Sequence, residues 1–317
     1  MLKELRFVQG AVARKEFVPA MTHFCIENGT VRSFNGSIAL CSPIPFDINC
    51  SPKAETLVKA ISQCKETITL SMTPANRLRI QSGKFRAFID TIEGPTAHVE
   101  PEGEEITVDG EILLKSFKTI FPFVGDDASR PWTNGILLRD QSAFATNNVC
   151  LVEYWLGMQL PFTANIPREA IREILRIDEA PTHLQMATNS VTFHYTDGRW
   201  IRAQLLELNW PDLRKVLEHE CNMQPVDQRI FKGLEALQSF VDNVGRVFIK
   251  DGVMRTHDEQ DIGASFEIED LPVNGLYQIK MLNLLKSVAT VADFTRYPEP
   301  TLFYGDRLRG AIIGMTF

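Results

Sequence analysis

Leu78-Arg-Ile-Gln-Ser-Gly-Lys-Phe-Arg-Ala-Phe-Ile89 alternates apolar and polar residues, turns at a glycine followed by a basic residue, and alternates again. A period of two marks a half-buried strand, and a short glycine-containing break between two such runs marks a hairpin. The phrase returns as Val191-Thr-Phe-His-Tyr-Thr-Asp-Gly-Arg-Trp-Ile-Arg-Ala203 and as Thr301-Leu-Phe-Tyr-Gly-Asp-Arg-Leu-Arg-Gly-Ala-Ile-Ile313. The turn glycines Gly83, Gly198 and Gly305 are 115 and 107 residues apart, and three such periods nearly fill the 317-residue chain. A repeat at this spacing points to three similar domains, not to one catalytic domain with a cleft. The basic residues at the turns, Lys84, Arg199 and Arg307, are expected to face solvent.

Working outward, each copy closes a unit made of two successive modules, a helix and then strands. Apolar residues at helical spacing predict helices at 2–13, 52–65, 110–124, 167–178, 226–242 and 278–290. Pro52 and Pro167 are placed at the first helical position, with Ser51 capping the former. Asn28-Gly29 and Asn35-Gly36 are hairpin signals in the first unit. The stretches 93–105 and 218–225 read as linkers, which gives domains at 1–104, 105–221 and 222–317. The expected class is α+β, with helices on one side of antiparallel sheets.

Composition and motifs exclude much. There is no uninterrupted apolar run of membrane-spanning length and no signal-peptide core, so the expectation is a cytoplasmic protein without a membrane partner. The six cysteines include no CxxC pair, and the six histidines no HxH or HExxH, so no metal is expected. A phosphate-cradling GxxxxGK[ST], a dinucleotide GxGxxG and a GxSxG elbow are all missing from the sequence. The acidic pairs Asp126-Asp127, Glu104-Glu105 and Glu269-Asp270 fall in expected loops, where solvated charge is the usual finding. Neither a catalytic residue nor a cofactor is expected, and three similar domains without chemistry suit a binding protein.

The chain is acidic, with a net charge of −7. Its six predicted helices nevertheless hold fourteen Lys+Arg against nine Asp+Glu, a net of +5, which leaves −12 for the remainder. Helices that share one face would present the sign that a phosphate backbone requires. Arg168, Arg172 and Arg176 recur every four residues and so form one stripe. Lys3 and Arg6, Lys53 and Lys59, Lys115 and Lys118, Arg229 and Lys232, and Lys280 and Lys286 mark the other helices. No zinc finger, homeodomain or base-stacking platform accompanies them, so the expected contact is diffuse and independent of sequence.

Several segments resemble the bacterial β sliding clamp, the DNA polymerase III β-subunit family. They are Trp132-Thr-Asn-Gly-Ile-Leu-Leu138, Phe144-Ala-Thr-Asn-Asn-Val-Cys-Leu151, Ile166-Pro-Arg-Glu-Ala-Ile-Arg-Glu-Ile-Leu175, Leu205-Leu-Glu-Leu-Asn-Trp-Pro-Asp-Leu-Arg-Lys-Val216 and the ending Ala311-Ile-Ile-Gly-Met-Thr-Phe317. The first third matches more loosely, through Val18-Pro-Ala-Met-Thr-His-Phe24 and the opening phrase. The resemblance implies the DNA-clamp fold: three domains per chain and a homodimer closed head to tail into a ring, with helices lining the hole. It further implies a processivity factor on double-stranded DNA that tethers a DNA polymerase and is placed there by an ATP-driven clamp loader. A non-enzymatic interaction scaffold that never encloses DNA is the alternative.

By the same resemblance, loops carrying Arg14 and Lys15, and Arg130 and Trp132, touch DNA. A pocket for partner peptides between the second and third domains would use Thr133, Thr146, Val149, Leu151, Pro211, Val216, Ala311, Ile313 and Met315. The family's Ala-Thr-Asp-Gly-His-Arg-Leu is here Ala145-Thr-Asn-Asn-Val-Cys-Leu151, which alters one pocket wall and with it the expected peptide preference. That departure and the short chain suit a divergent member, for which a phage is a fitting source.

Overall fold

The computed structural model describes residues 1–15, 17–93, 99–212 and 214–316. The chain divides into two compact units, residues 1–114 with 169–205, and residues 115–168 with 206–317.

In the first unit, α1 (Leu2–Val8) buries Leu5, Phe7 and Val8, and α2 (Ala54–Gln63) buries Ala54, Leu57, Val58 and Ile61. In α2 these four fall three and four apart, which puts them on one face of the helix. An antiparallel seven-stranded sheet runs Cys25–Glu27, Thr30–Phe34, Ile38–Pro43, Trp200–Gln204, Ser190–His194, His183–Met186, Glu104–Thr107. A second sheet has three strands: Ile68–Met72, Arg77–Ser82 and Phe85–Asp90. In the other unit an eight-stranded sheet runs Ala164–Pro167, Gly135–Arg139, Ser142–Thr146, Cys150–Trp155, Leu308–Ile312, Thr301–Gly305, Val291–Asp293, Gln224–Pro225. Its four-stranded companion runs Ser265–Glu267, Val253–Arg255, Arg246–Lys250, Gly275–Gln278. The remaining helices are α3 (Gly110–Ile120), α4 (Arg168–Ile177), the single turn α5 (Arg214–Leu217), α6 (Arg229–Leu237) and α7 (Ile279–Leu285). The expected α+β class is what the chain adopts. Among the described residues no helix is long and apolar enough to cross a membrane.

All three copies of the repeated phrase are hairpins, but their turns differ. Gly83 (φ +54°) and Gly198 (φ +80°) take the left-handed backbone that glycine tolerates, whereas in the third copy Arg307 does so (φ +53°). Gly305 has another role: a Cβ there would lie 1.8 Å from the Val288 carbonyl oxygen. Arg199 does not face solvent as expected. Its guanidinium is buried, paired with Glu179 and Asp197 and stacked over Phe7 at 4.9 Å.

Several helices are shorter than their apolar periodicity suggests. α1 gives way to a 3₁₀ turn, Gln9–Ala11, where Glu173 of α4 lies against Gly10. α2 starts after Lys53, because the backbone before it is used elsewhere: the Pro52 carbonyl accepts from Phe24 N–H, and Lys53 N–H donates to Asp90. Pro167 ends a strand, and α4 starts one residue later. The short strands Glu104–Thr107, Ala164–Pro167, Gln224–Pro225 and Gly275–Gln278 went unread. Each stands at the edge of its sheet.

Candidate nucleic-acid interface and partner pocket

The structure gathers four of the sequence-predicted cations, Arg6, Arg14, Lys53 and Arg176, around one concavity of about 710 Å³ in the first unit. Arg6 is carried by α1, Arg14 by the loop after its 3₁₀ turn, Lys53 by the cap of α2, and Arg176 by α4. Glu55 and Glu173 also line it, and Arg176 donates from Nε to Glu173 at 2.6 Å and from Nη2 to the Phe7 carbonyl at 2.9 Å. Lys15 holds its ammonium 5.9 Å from the centre of the exposed Phe17 ring. Arg172 is exposed, with no ion pair among the described residues. Lys3 lies 4.0 Å from Glu179, and Lys59 pairs with Glu55 at 2.5 Å.

In the other unit the expected cations are more often engaged. Lys115 donates to Asp306 at 3.1 Å, and that bond raises the ammonium above its ordinary range. Arg168 donates to the Gly125 carbonyl at 2.9 Å, lies 3.3 Å from Asp126 and stacks over Phe121. Arg130 sits 3.9 Å from Asp127, and Arg229 grips Asp227 at 2.7 Å. Asp227, bonded by Arg229, is held below the usual carboxylate range. A cation already paired offers less field to a phosphate than a free one. Lys232, Lys280 and Lys286 are exposed with no ion pair among the described residues, and Lys118 is exposed as well.

The expected pocket residues fall into three groups. Leu151 lies opposite Ala311 across the Cys150–Trp155 and Leu308–Ile312 pair, and both join a cluster with Leu137, Trp210, Leu217 and Leu302. Trp132, Phe144 and Val216 pack against that cluster. Thr133 and Thr146 are fastened together by one donor, the Gly125 N–H, at 2.9 and 3.1 Å from their carbonyls. Val149 accepts from Ile313 N–H at 2.9 Å, and the Ile313 side chain is half exposed. Two residues stand apart. Pro211 is exposed, and Met315 is bonded through its backbone to Leu276 and to the Tyr297 hydroxyl. Trp132, expected at DNA, meets Trp210 edge-on with ring centres 5.1 Å apart. Trp210 and Phe144 were not singled out from the sequence, although both lie inside the quoted segments. Bulk beside Pro211 was the available signal.

No protein-family model and no curated protein matches the sequence. Solved structures do match. The β subunit of Streptococcus pyogenes DNA polymerase superposes with a TM-score of 0.85 at 16% identity, and the Bacillus subtilis sliding clamp with 0.83 at 14%. The Helicobacter pylori β clamp, solved bound to a DNA ligase peptide, gives 0.79 at 16%. Each alignment covers 100% of this chain and 97% of the other. The chain has the β-sliding-clamp fold.

The segment that departs from the family motif makes a turn between strands Ser142–Thr146 and Cys150–Trp155. Asn148 takes φ +70°, which asparagine tolerates, at the place where the family motif has glycine. The Asn147 side chain accepts from Val149 and Cys150 N–H at 3.1 and 2.8 Å, closing the loop. Cys150, where the motif has arginine, is fully buried, and burial pushes its thiol up to about 12.

Proposed function

We propose that this chain is a non-enzymatic DNA sliding clamp of three domains, 1–104, 105–221 and 222–317, that closes as a homodimer around duplex DNA. The observation that carries the reading is a repeated seam. Strand Ile38–Pro43 pairs with Trp200–Gln204, and Cys150–Trp155 pairs in the same way with Leu308–Ile312, joining in both cases a strand from the first half of one proposed domain to the last strand of the next. The pattern leaves one strand of each kind at a sheet edge, Ser265–Glu267 and Phe85–Asp90. Pairing them between two copies would make the remaining two seams and cover these two edges.

Charge supports the same reading. The six longer helices, at their observed bounds, carry eleven Lys+Arg against six Asp+Glu, again a net of +5 in an acidic chain. The concavity of Arg6, Arg14, Lys53 and Arg176 presents several phosphate ligands together. Its partners in this reading are a DNA polymerase docked at the Leu151–Ala311 cluster and a separate loader. The test is retention on DNA. Once loaded, the protein should stay on a nicked circle and leave when the circle is cut. Equal retention on both forms, or a monomer at micromolar concentration, would instead support a scaffold that never encloses DNA.

A further inference from the structure

His183 and His194 face each other across the antiparallel strands His183–Met186 and Ser190–His194. Their rings are stacked, with centres 4.4 Å apart and an interplanar angle of 3°. Both side chains are half-buried. His194 is held below the ordinary histidine range, by burial first and by His183 second, against an opposing pull from Glu105. Neutral imidazole is the form whose nitrogen lone pair binds a metal.

The hydrogen bonds around the pair decide which nitrogens are bare. The Gln185 amide donates to the Gly103 carbonyl at 3.2 Å, which leaves its oxygen for His194 Nε2 at 3.1 Å. That oxygen only accepts, so the proton is on Nε2 and the lone pair on Nδ1. The Thr182 hydroxyl donates to the His194 carbonyl at 3.1 Å and lies 3.0 Å from His183 Nδ1. Its one hydrogen is used, so it accepts from Nδ1–H, and the lone pair of His183 is on Nε2. Each ring thus has one nitrogen fastened to the protein and one free to coordinate, as histidines at metal centres do.

We propose that His183 Nε2 and His194 Nδ1 together bind one divalent transition-metal ion of the zinc and copper class. Such an ion sits about 2.0–2.1 Å from each nitrogen and needs the two about 3 Å apart, which rotation of the rings about their Cβ–Cγ bonds has to supply. Among the described residues no third His, Cys, Asp or Glu completes a set with them, so water fills the remaining positions. Glu105 lies opposite Gln185 on the next strand, Glu104–Thr107, and adds negative charge on the same face. The ion clips the two strands together, on residues that neither line the cationic concavity nor join the Leu151–Ala311 cluster.

The test uses the full, untagged chain, stripped with chelator and titrated with zinc chloride. One ion per chain is expected, and His183→Gln and His194→Gln should each weaken its binding about tenfold or more. Electron paramagnetic resonance of the copper(II)-loaded chain should show coupling to two imidazole nitrogens. A ¹⁵N-histidine spectrum of the wild-type chain needs no variant. Before metal it should show His183 protonated at Nδ1 and His194 at Nε2, and zinc should move the two bare nitrogens. Unchanged zinc affinity in either variant, a shift confined to other histidines, or no binding at millimolar zinc overturns the proposal and leaves a stacked pair that only packs two strands.

Discussion

Arg176 donates from Nη2 to the main-chain carbonyl of Phe7, 2.9 Å away and 169 residues earlier in the chain. The bond ties the last turn of α4 to the C-terminal end of α1, where the helix dipole favours a cation. A guanidinium can serve this carbonyl and Glu173 at once, and an ammonium cannot hold the same fork. Arg176→Ala should lower stability by about 1 kcal/mol, and Arg176→Lys should recover only part of it. Thermal unfolding followed by circular dichroism checks both, and full rescue by lysine contradicts the fork.

Removing the cations of the first concavity should change how DNA affinity depends on salt. Arg6→Gln, Arg14→Gln and Lys53→Gln together should reduce the slope of log K against log salt by about 2–3, roughly one per lost phosphate contact. Fluorescence anisotropy on a duplex across a salt series measures the slope. An unchanged slope would place the DNA elsewhere.

Ile313 offers a cleaner probe of the partner site than Leu151, since its side chain is half exposed and that of Leu151 is buried. Ile313→Asp should weaken peptide binding at least tenfold while shifting stability by no more than about 0.5 kcal/mol, as surface changes do. Titration calorimetry paired with a melting curve separates the two effects.

Cys150 makes the chain sensitive to alkali. Burial holds its thiol at about 12, against an ordinary 9.0, so the unfolded chain ionises first. The contribution is whole below pH 9 and is lost as pH climbs from 9 towards 12. Cys150→Val should move the alkaline unfolding midpoint to higher pH, and in the native protein at pH 8 this thiol should resist labelling by a disulfide reagent. An unchanged midpoint would mean that other groups govern alkaline unfolding.

Phe88 stands half exposed on the free edge strand Phe85–Asp90. Phe88→Glu should yield a folded monomer by light scattering, with native circular dichroism. Persistence of the dimer would move the interface away from this edge.

Much of the fold could be read because alternation survives wherever one face is buried. Arg77–Ser82 and Trp200–Gln204 show it, and each adjoins a turn whose residues declare themselves. Asn28 and Gly29 both take positive φ, as their dipeptide suggested. The short strands before the helices were invisible for the opposite reason. Four residues such as Ala164–Pro167 are too few to show a period, and a final proline reads as a helix start. The basic helices were legible as charge, but which cations stay free was not. Lys115 meets Asp306 across 191 positions of sequence, a pairing no local pattern announces. Trp210 was hidden in the same way, since its packing depends on Trp132 and Leu302.

The two leftover strands have a further consequence. Phe85–Asp90 and Ser265–Glu267 have unrelated sequences and lengths, so joining one to the other never uses the same patch twice. Contacts of that type stop growing only if the rotation between copies closes on itself, and otherwise they run on as a filament. In the proposed assembly, whether copies made a bounded particle or a fibre would turn on the rotation between them. A substitution that changed the twist, without weakening a single bond, would be expected to appear as polymerisation rather than as loss of assembly.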